Sequence, residues 1–167
     1  MKTADLLQAL KTATYPEQFR FIMPFVFEWE NVIGKSGKIL VESDKSDPGG
    51  ETYCGLDRRS HPRLDFAKAT PQIICDTYLA DYWNKFKCES YAVPLCDVVF
   101  NCVVNAGWGR AERILAATGS NAAKFLQAQD SFYRRLADAR PKSAKYLDGW
   151  LNRLESLARK LNISFDK

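Results

Sequence analysis

The chain has 167 residues, enough for one domain with a core of its own, with a modest case for a second small lobe. With 46% hydrophobic, 26% charged and 13% aromatic residues it reads as globular, which excludes disordered, collagen-like and low-complexity classes. The net charge of +4 suits a polyanionic partner or plain solubility, but no basic cluster is interleaved with aromatics, so no nucleic-acid partner is expected.

In chain order, Leu6, Leu7 and Leu10 mark one face of a short helix ending before Pro16. A second helical pattern runs from Glu17 to about Trp29, where Phe19, Ile22, Met23, Val26 and Phe27 form an apolar stripe. Pro24 lies inside it and marks either a kink or the true helix start. Glu30 stands at or just past the end of this helix. The stretch from Phe19 to Trp29 is the most apolar in the chain, yet it carries Arg20 and Glu28 and has about half the length a membrane crossing needs. No membrane insertion is expected.

Gly34 and Gly37 then break the helical period, and Lys38 to Glu42 reads as a strand. Asp47-Pro48-Gly49-Gly50 is a turn, and Thr52 to Leu56 reads as the returning strand of a two-stranded hairpin. Thr70-Pro71 carries the cap and first-turn residues of a helix whose face continues through Ile73, Ile74, Thr77, Tyr78 and Tyr82. Pro94 opens another helix, interrupted at Gly107-Trp108-Gly109. Further helices are expected over about 110–118, 121–139 and 144–161, with breaks at Gly119 and Arg140-Pro141. The fold class is α+β, mainly α, with a small β-hairpin packed against a helical body.

The five cysteines, Cys54, Cys75, Cys88, Cys96 and Cys102, are odd in number and form no Cys-x-x-Cys pair. Lys2 is followed by Thr3, Ala4 and Asp5 rather than an apolar core, so no secretory signal is expected and the thiols should be reduced. The single histidine, His61, is remote from them in sequence, and no metal or organic cofactor is implied. His61 before Pro62 is expected to serve its loop or cap a helix. Arg134, Arg135 and Arg153 are expected on solvated or salt-bridged faces.

A carboxylic acid at the end of an apolar helix, followed by a hairpin with Asp and Thr at its turn, can oppose two groups across a cleft. Glycoside hydrolysis needs such a pair: a proton donor in partly apolar surroundings and a second group supporting water or positive charge. Val26, Phe27 and Trp29 supply those surroundings for Glu30. Glu28 and Glu30 are otherwise solvated charges at a helix end, and Asp47 is otherwise an ordinary turn residue.

Asp47-Pro48-Gly49-Gly50-Glu51-Thr52-Tyr53-Cys54-Gly55-Leu56 resembles the Asp-Pro-Gly-Gly-x-Thr-x-x-Gly-Ile segment of glycoside hydrolase family 108, a family of phage and bacterial N-acetylmuramidases. Trp29-Glu30, His61-Pro62, Tyr82-Trp83, Asn105-x-Gly107 and Gly149-Trp150-Leu151-Asn152-Arg153 agree with it in order, from roughly Pro16 to Leu157. The resemblance implies a single lysozyme-like domain over 1–167, of which about 95–160 is similar to the family's predicted peptidoglycan-binding helical part. It implies hydrolysis of the bond between N-acetylmuramic acid and N-acetylglucosamine, with peptidoglycan glycan strands as partner, no cofactor and a monomeric chain. Glu30 would be the general acid, and Asp47 and Thr52 would hold water or stabilise charge, giving inversion. Tyr53, Asn105 and Trp83 would bind substrate.

Three departures keep alternatives open. Asn31 and Val32 stand where the family has glycines, and the interval from Glu30 to Asp47 is longer than usual. Glu28 therefore rivals Glu30, and Glu42 or Asp44 rivals Asp47. Asn101 replaces a common Asp. The rival functions are a lytic transglycosylase or chitosanase-type enzyme on the same fold, or a catalytically silent wall-binding or virion structural protein. Without a secretory signal, synthesis is expected in the cytoplasm, with action at the wall after holin-type lysis or dedicated export.

Overall fold

The structure, a computed structural model, describes residues 1–30, 42–43 and 51–166. The chain divides into two compact units, Met1–Asp81 and Tyr82–Lys167. The architecture is mainly helical α+β, as the resemblance implies for a lysozyme-like fold.

In the first unit, α1 (Thr3–Thr12) buries Leu6 and Leu10 and packs on α2 (Glu17–Trp29) and α3 (Pro71–Tyr78). Helix α2 runs through Pro24 without stopping. Proline costs an interior helix a hydrogen bond, but Phe19, Ile22, Met23, Phe25, Val26 and Phe27 are all buried around it. Each such side chain contributes about 1.5–3 kcal/mol when removed from water, enough to offset the lost bond several times over. Helix α3 begins as its sequence dictates: the Thr70 hydroxyl accepts the Ile73 amide at 3.2 Å, and Pro71 occupies the first turn. Its buried face is Ile74, Cys75 and Tyr78, whereas Ile73 is exposed.

The sheet differs from the expected two-stranded hairpin. Strands β1 (Glu42–Ser43), β2 (Glu51–Tyr53) and β3 (Leu56–Asp57) form three antiparallel strands in that order, with Glu42 opposite Thr52 and Thr52 opposite Asp57. The stretch from Thr52 to Leu56 is thus two strands joined by Cys54 and Gly55, whose φ angles are 54° and 77°. Positive φ at both central residues defines the tight turn that matches strand twist. Most of the expected strand from Lys38 to Glu42, and the turn from Asp47 to Gly50, lie outside the described residues.

The second unit is helical. The chain enters it within a π-helical turn (Leu79–Asn84), and after a 3₁₀ turn (Cys88–Ser90) come α4 (Leu95–Ala106), α5 (Trp108–Thr118), α6 (Ala122–Ala139), α7 (Pro141–Ala144) and α8 (Leu147–Leu161). Helix α4 buries every residue from Leu95 to Val103, Asp97 and Asn101 included. Helices α5 and α6 pack on it, and α8 packs on α6. Gly107, at φ 80°, separates α4 from α5, and Asn121 caps α6 by accepting the Lys124 amide at 2.9 Å. No described helix is long and apolar enough to cross a membrane.

All five cysteines are free and buried. Burial pushes each thiol up to about 12.

Of the two settings expected for Arg153, a solvated or a salt-bridged face, burial excludes the solvated one. Arg153 is 3% exposed, and its Nε donates to the Asn101 side-chain oxygen at 2.8 Å, with Asn101 itself fully buried. Arg134 pairs with Asp130 at 2.6 Å as an ordinary i,i+4 contact. A guanidinium buried against an amide costs heavily if the amide is removed. Asn101→Ala should therefore lower stability by about 2–4 kcal/mol. Lys68→Ala, at an exposed pair with Asp65, should shift it by less than about 0.5 kcal/mol. Urea unfolding of both variants checks the ranking, and equal losses would contradict it.

Candidate active site

Helix α2 delivers Glu30 to its C-terminal cap. The Glu30 amide still reaches the Val26 carbonyl at 2.9 Å, while its backbone has left helical geometry. Glu28, two residues earlier, is exposed, whereas Glu30 is half-buried. The side chain of Glu30 lies against the turn joining β2 to β3. A methyl group built on Gly55 would come within 2.9 Å of the Glu30 Cβ and 3.3 Å of its Cγ. The same methyl would meet the Tyr78 hydroxyl at 2.5 Å.

Tyr78 is the post on which this arrangement rests. It is fully buried on α3, its ring edge-on to Phe27 of α2 with centroids 5.7 Å apart. Its hydroxyl donates to the Cys54 carbonyl at 2.9 Å. One side chain thus ties α2, α3 and the sheet turn together, and only a glycine at 55 allows so close an approach.

The other expected site residues fall as follows. Thr52 lies in the central strand, half-buried, paired in register with both Glu42 and Asp57. Tyr53, on the opposite face of the strand, is 7% exposed and packs on Phe66 at 5.8 Å. Asp47 and its rival Asp44 lie outside the described residues, and of Glu42 only the backbone pairing is described. Asn105, in α4, accepts a hydrogen bond from the Tyr133 hydroxyl. Trp83 is fully buried, edge-on to Phe100 at 5.2 Å, so its ring offers no open face on which a sugar could stack.

Among residues not anticipated, Gly55 and Tyr78 carry the closest contacts to Glu30. Cys54-Gly55 lacks the Asn-Gly or Asp-Gly pair that marks a two-residue hairpin turn, so local sequence carried little signal for it. Asp57, opposite Thr52, is a further carboxylate here. Burial alone would raise its pKa, but the Ser60 amide at 2.8 Å, the Ser60 hydroxyl and His61 outweigh that and hold it below the usual carboxylate range. His61 is 6% exposed; its Nδ1 sits 3.1 Å from the Asp57 carbonyl, which can only accept, so that nitrogen carries a proton. Its Nε2 faces Asp81 at 3.6 Å. A pocket of about 380 Å³ opens beside this loop, lined by His61, Arg63, Thr77 and Asp81 among others, and none of the expected site residues lines it. Among the described residues no three His, Cys, Asp or Glu side chains converge where they could hold a metal ion.

Two outcomes follow. Gly55→Ala combines a left-handed backbone with two steric clashes and should destabilise by about 2–4 kcal/mol. Gly149→Ala, in open space on α8, should be neutral or stabilising by up to about 1 kcal/mol. Thermal unfolding separates them. For Asp57, a depressed carboxyl contributes stability above its unfolded pKa of about 3.9, and that contribution is lost as pH falls through the lower folded value. Asp57→Asn should therefore be less stable than wild type at neutral pH, with the gap closing below about pH 4. A gap that persists at pH 2 in chemical denaturation would contradict the assignment.

Over residues 25–107 the chain matches the family model described as Glycosyl hydrolase 108. The matched segment includes the end of α2, the whole sheet, α3 and α4. No curated protein and no solved structure matches significantly. The family acts as glycoside hydrolases on peptidoglycan, and this chain belongs to the glycosyl hydrolase 108 family.

Proposed function

We propose that the protein is an N-acetylmuramidase that cleaves the bond between N-acetylmuramic acid and N-acetylglucosamine, with Glu30 as general acid. The observation that carries this reading is the seating of Glu30, half-buried at the cap of α2 and against the Gly55 turn, inside the family-matched segment. Glu28 is exposed, which favours Glu30 between the two.

In this mechanism Glu30 hands its proton to the glycosidic oxygen as the bond to the anomeric carbon breaks, so the departing sugar leaves as a neutral alcohol. Positive charge then develops on the ring that stays bound. Asp47 and Thr52 hold a water on the opposite face of that ring, and attack from there inverts the anomeric configuration. Removing the Glu30 proton donor while keeping its shape raises the barrier by the share that general acid catalysis supplies, about 3 kcal/mol or more.

The test is reducing-end release and turbidity loss on purified peptidoglycan. Glu30→Gln should lose at least ~100-fold in rate while remaining folded, and Glu28→Gln should stay near wild type. The reverse ranking would move the acid to Glu28. Proton NMR of the first product should show inversion, and retention would remove the water-holding role from Asp47 and Thr52.

A further inference from the structure

The unit Tyr82–Lys167 carries fourteen Lys and Arg residues against eight Asp and Glu, a net +6 within a chain of net +4. Part of that excess gathers where α5 packs on α6. Arg110 and Arg113, three residues apart, share one face of α5, as Phe132 and Arg135 do on α6. The Arg110 guanidinium lies over the Phe132 ring, 3.6 Å from its centroid, so the two faces meet there. Such a stack fixes the plane of the guanidinium fork.

Among the described residues, none of Arg110, Arg113 and Arg135 forms an ion pair with a carboxylate. Acids on the same helices are engaged elsewhere: Asp130 pairs with Arg134 at 2.6 Å, and the charge of Glu112 acts on Tyr91. Asp138, one turn beyond Arg135, pairs with none of the three. Arg110 is half-buried, and its Nε is closed to solvent with no hydrogen-bond partner among the described residues. Burial holds its pKa below the usual arginine value; the charges of Arg113 and Arg135 act the same way, and Cys102 and Tyr133 oppose them. Arg113 and Arg135 are thus near enough to repel Arg110. Unbalanced charge of this kind costs stability, and sequences keep such violations at sites that bind something.

The ligand that relieves it must be an anion with more than one negative charge and acceptor oxygens for more than one fork. A phosphate group has both, with roughly −1.5 to −2 charges and three acceptor oxygens near neutral pH. A carboxylate offers one charge and two coplanar oxygens. Guanidinium forks also meet phosphate in bidentate fashion. We propose that Arg110, Arg113 and Arg135 form a binding site for a phosphate group on the α5–α6 face of this unit. All three lie beyond residues 25–107, the segment that the family model matches, and none takes part in the hydrolytic mechanism.

The test is calorimetric titration of the full chain with inorganic phosphate at constant ionic strength, with citrate as a carboxylate control. Wild type should bind phosphate more tightly than citrate. Arg113→Gln with Arg135→Gln should weaken phosphate by about ten-fold or more. Arg110→Lys keeps the charge, loses the fork and should weaken it about five-fold. Lys124→Gln with Lys142→Gln removes the same charge from exposed positions elsewhere in the unit and should leave affinity within about two-fold. Arg113 and Arg135 are exposed and their removal relieves repulsion, so without phosphate that variant should melt no lower than wild type. Phosphate should raise the Tm of wild type and leave that of the arginine variant unchanged. Phosphatidylglycerol vesicles, set against phosphatidylcholine ones, separate a lipid headgroup from free phosphate as the source. Capture that needs the three arginines supports the site and assigns it to a membrane surface. The proposal is overturned if wild type takes up neither probe, if the lysine pair loses as much as the arginine pair, or if citrate binds as tightly as phosphate.

Discussion

Tyr78 is tied at both ends, and much of the first unit is arranged around that fact. Its ring is fixed edge-on to Phe27, so the end of α2 cannot slide without losing a buried aromatic contact. Its hydroxyl holds the Cys54 carbonyl, so the turn between β2 and β3 is drawn down onto the helices. A buried phenol left without that acceptor would cost about 1–3 kcal/mol, which makes the contact an obligation as much as a gain. The residue after Cys54 must then be one with no side chain, and Glu30 fills the space that glycine leaves. The seat of the Glu30 side-chain stem is thus shaped by the hydrogen bond between Tyr78 and Cys54.

Helical periodicity was readable because it is local. The apolar stripe from Phe19 to Phe27 located α2, and Thr70 announced the cap of α3. Pro24 weakened the reading of α2 because its cost is local while its compensation, burial against other elements, is tertiary. The second β-turn escaped notice for a related reason. Cys54 is a poor candidate for positive φ on its own, and the need for it arises only once Tyr78 pulls on its carbonyl. Trp83 was placed in the substrate site, but whether a tryptophan faces solvent or a neighbouring helix is settled by packing across α4, which one-dimensional spacing does not encode. The candidate acid was legible through its neighbours in sequence; its partners Gly55 and Tyr78, 25 and 48 residues away by number, were not.

In the second unit, residues resembling a Gly-Trp-x-x-Arg element serve packing. Trp150 stacks on Tyr133 at 5.0 Å, Tyr133 donates to Asn105, and Arg153 reaches Asn101. Helix α4 therefore meets both α6 and α8 through polar groups set in an apolar surface. The contact between Asn101 and Arg153 is a charge–amide hydrogen bond, a directional link between α4 and α8. Directional contacts of this type select one rotational setting of α8 where leucines alone would tolerate several.

The five thiols have a bearing on where such a chain can live. Thiol exchange and oxidation proceed through the thiolate, and burial keeps each of these sulfurs in the neutral form. None is spent on a cross-link, so no part of the fold waits on an oxidant to form or is undone by a reductant. Folding of the molecule therefore needs no disulfide among these cysteines. A chain built this way can mature in a glutathione-rich compartment and keep the same structure when it meets an oxidising exterior.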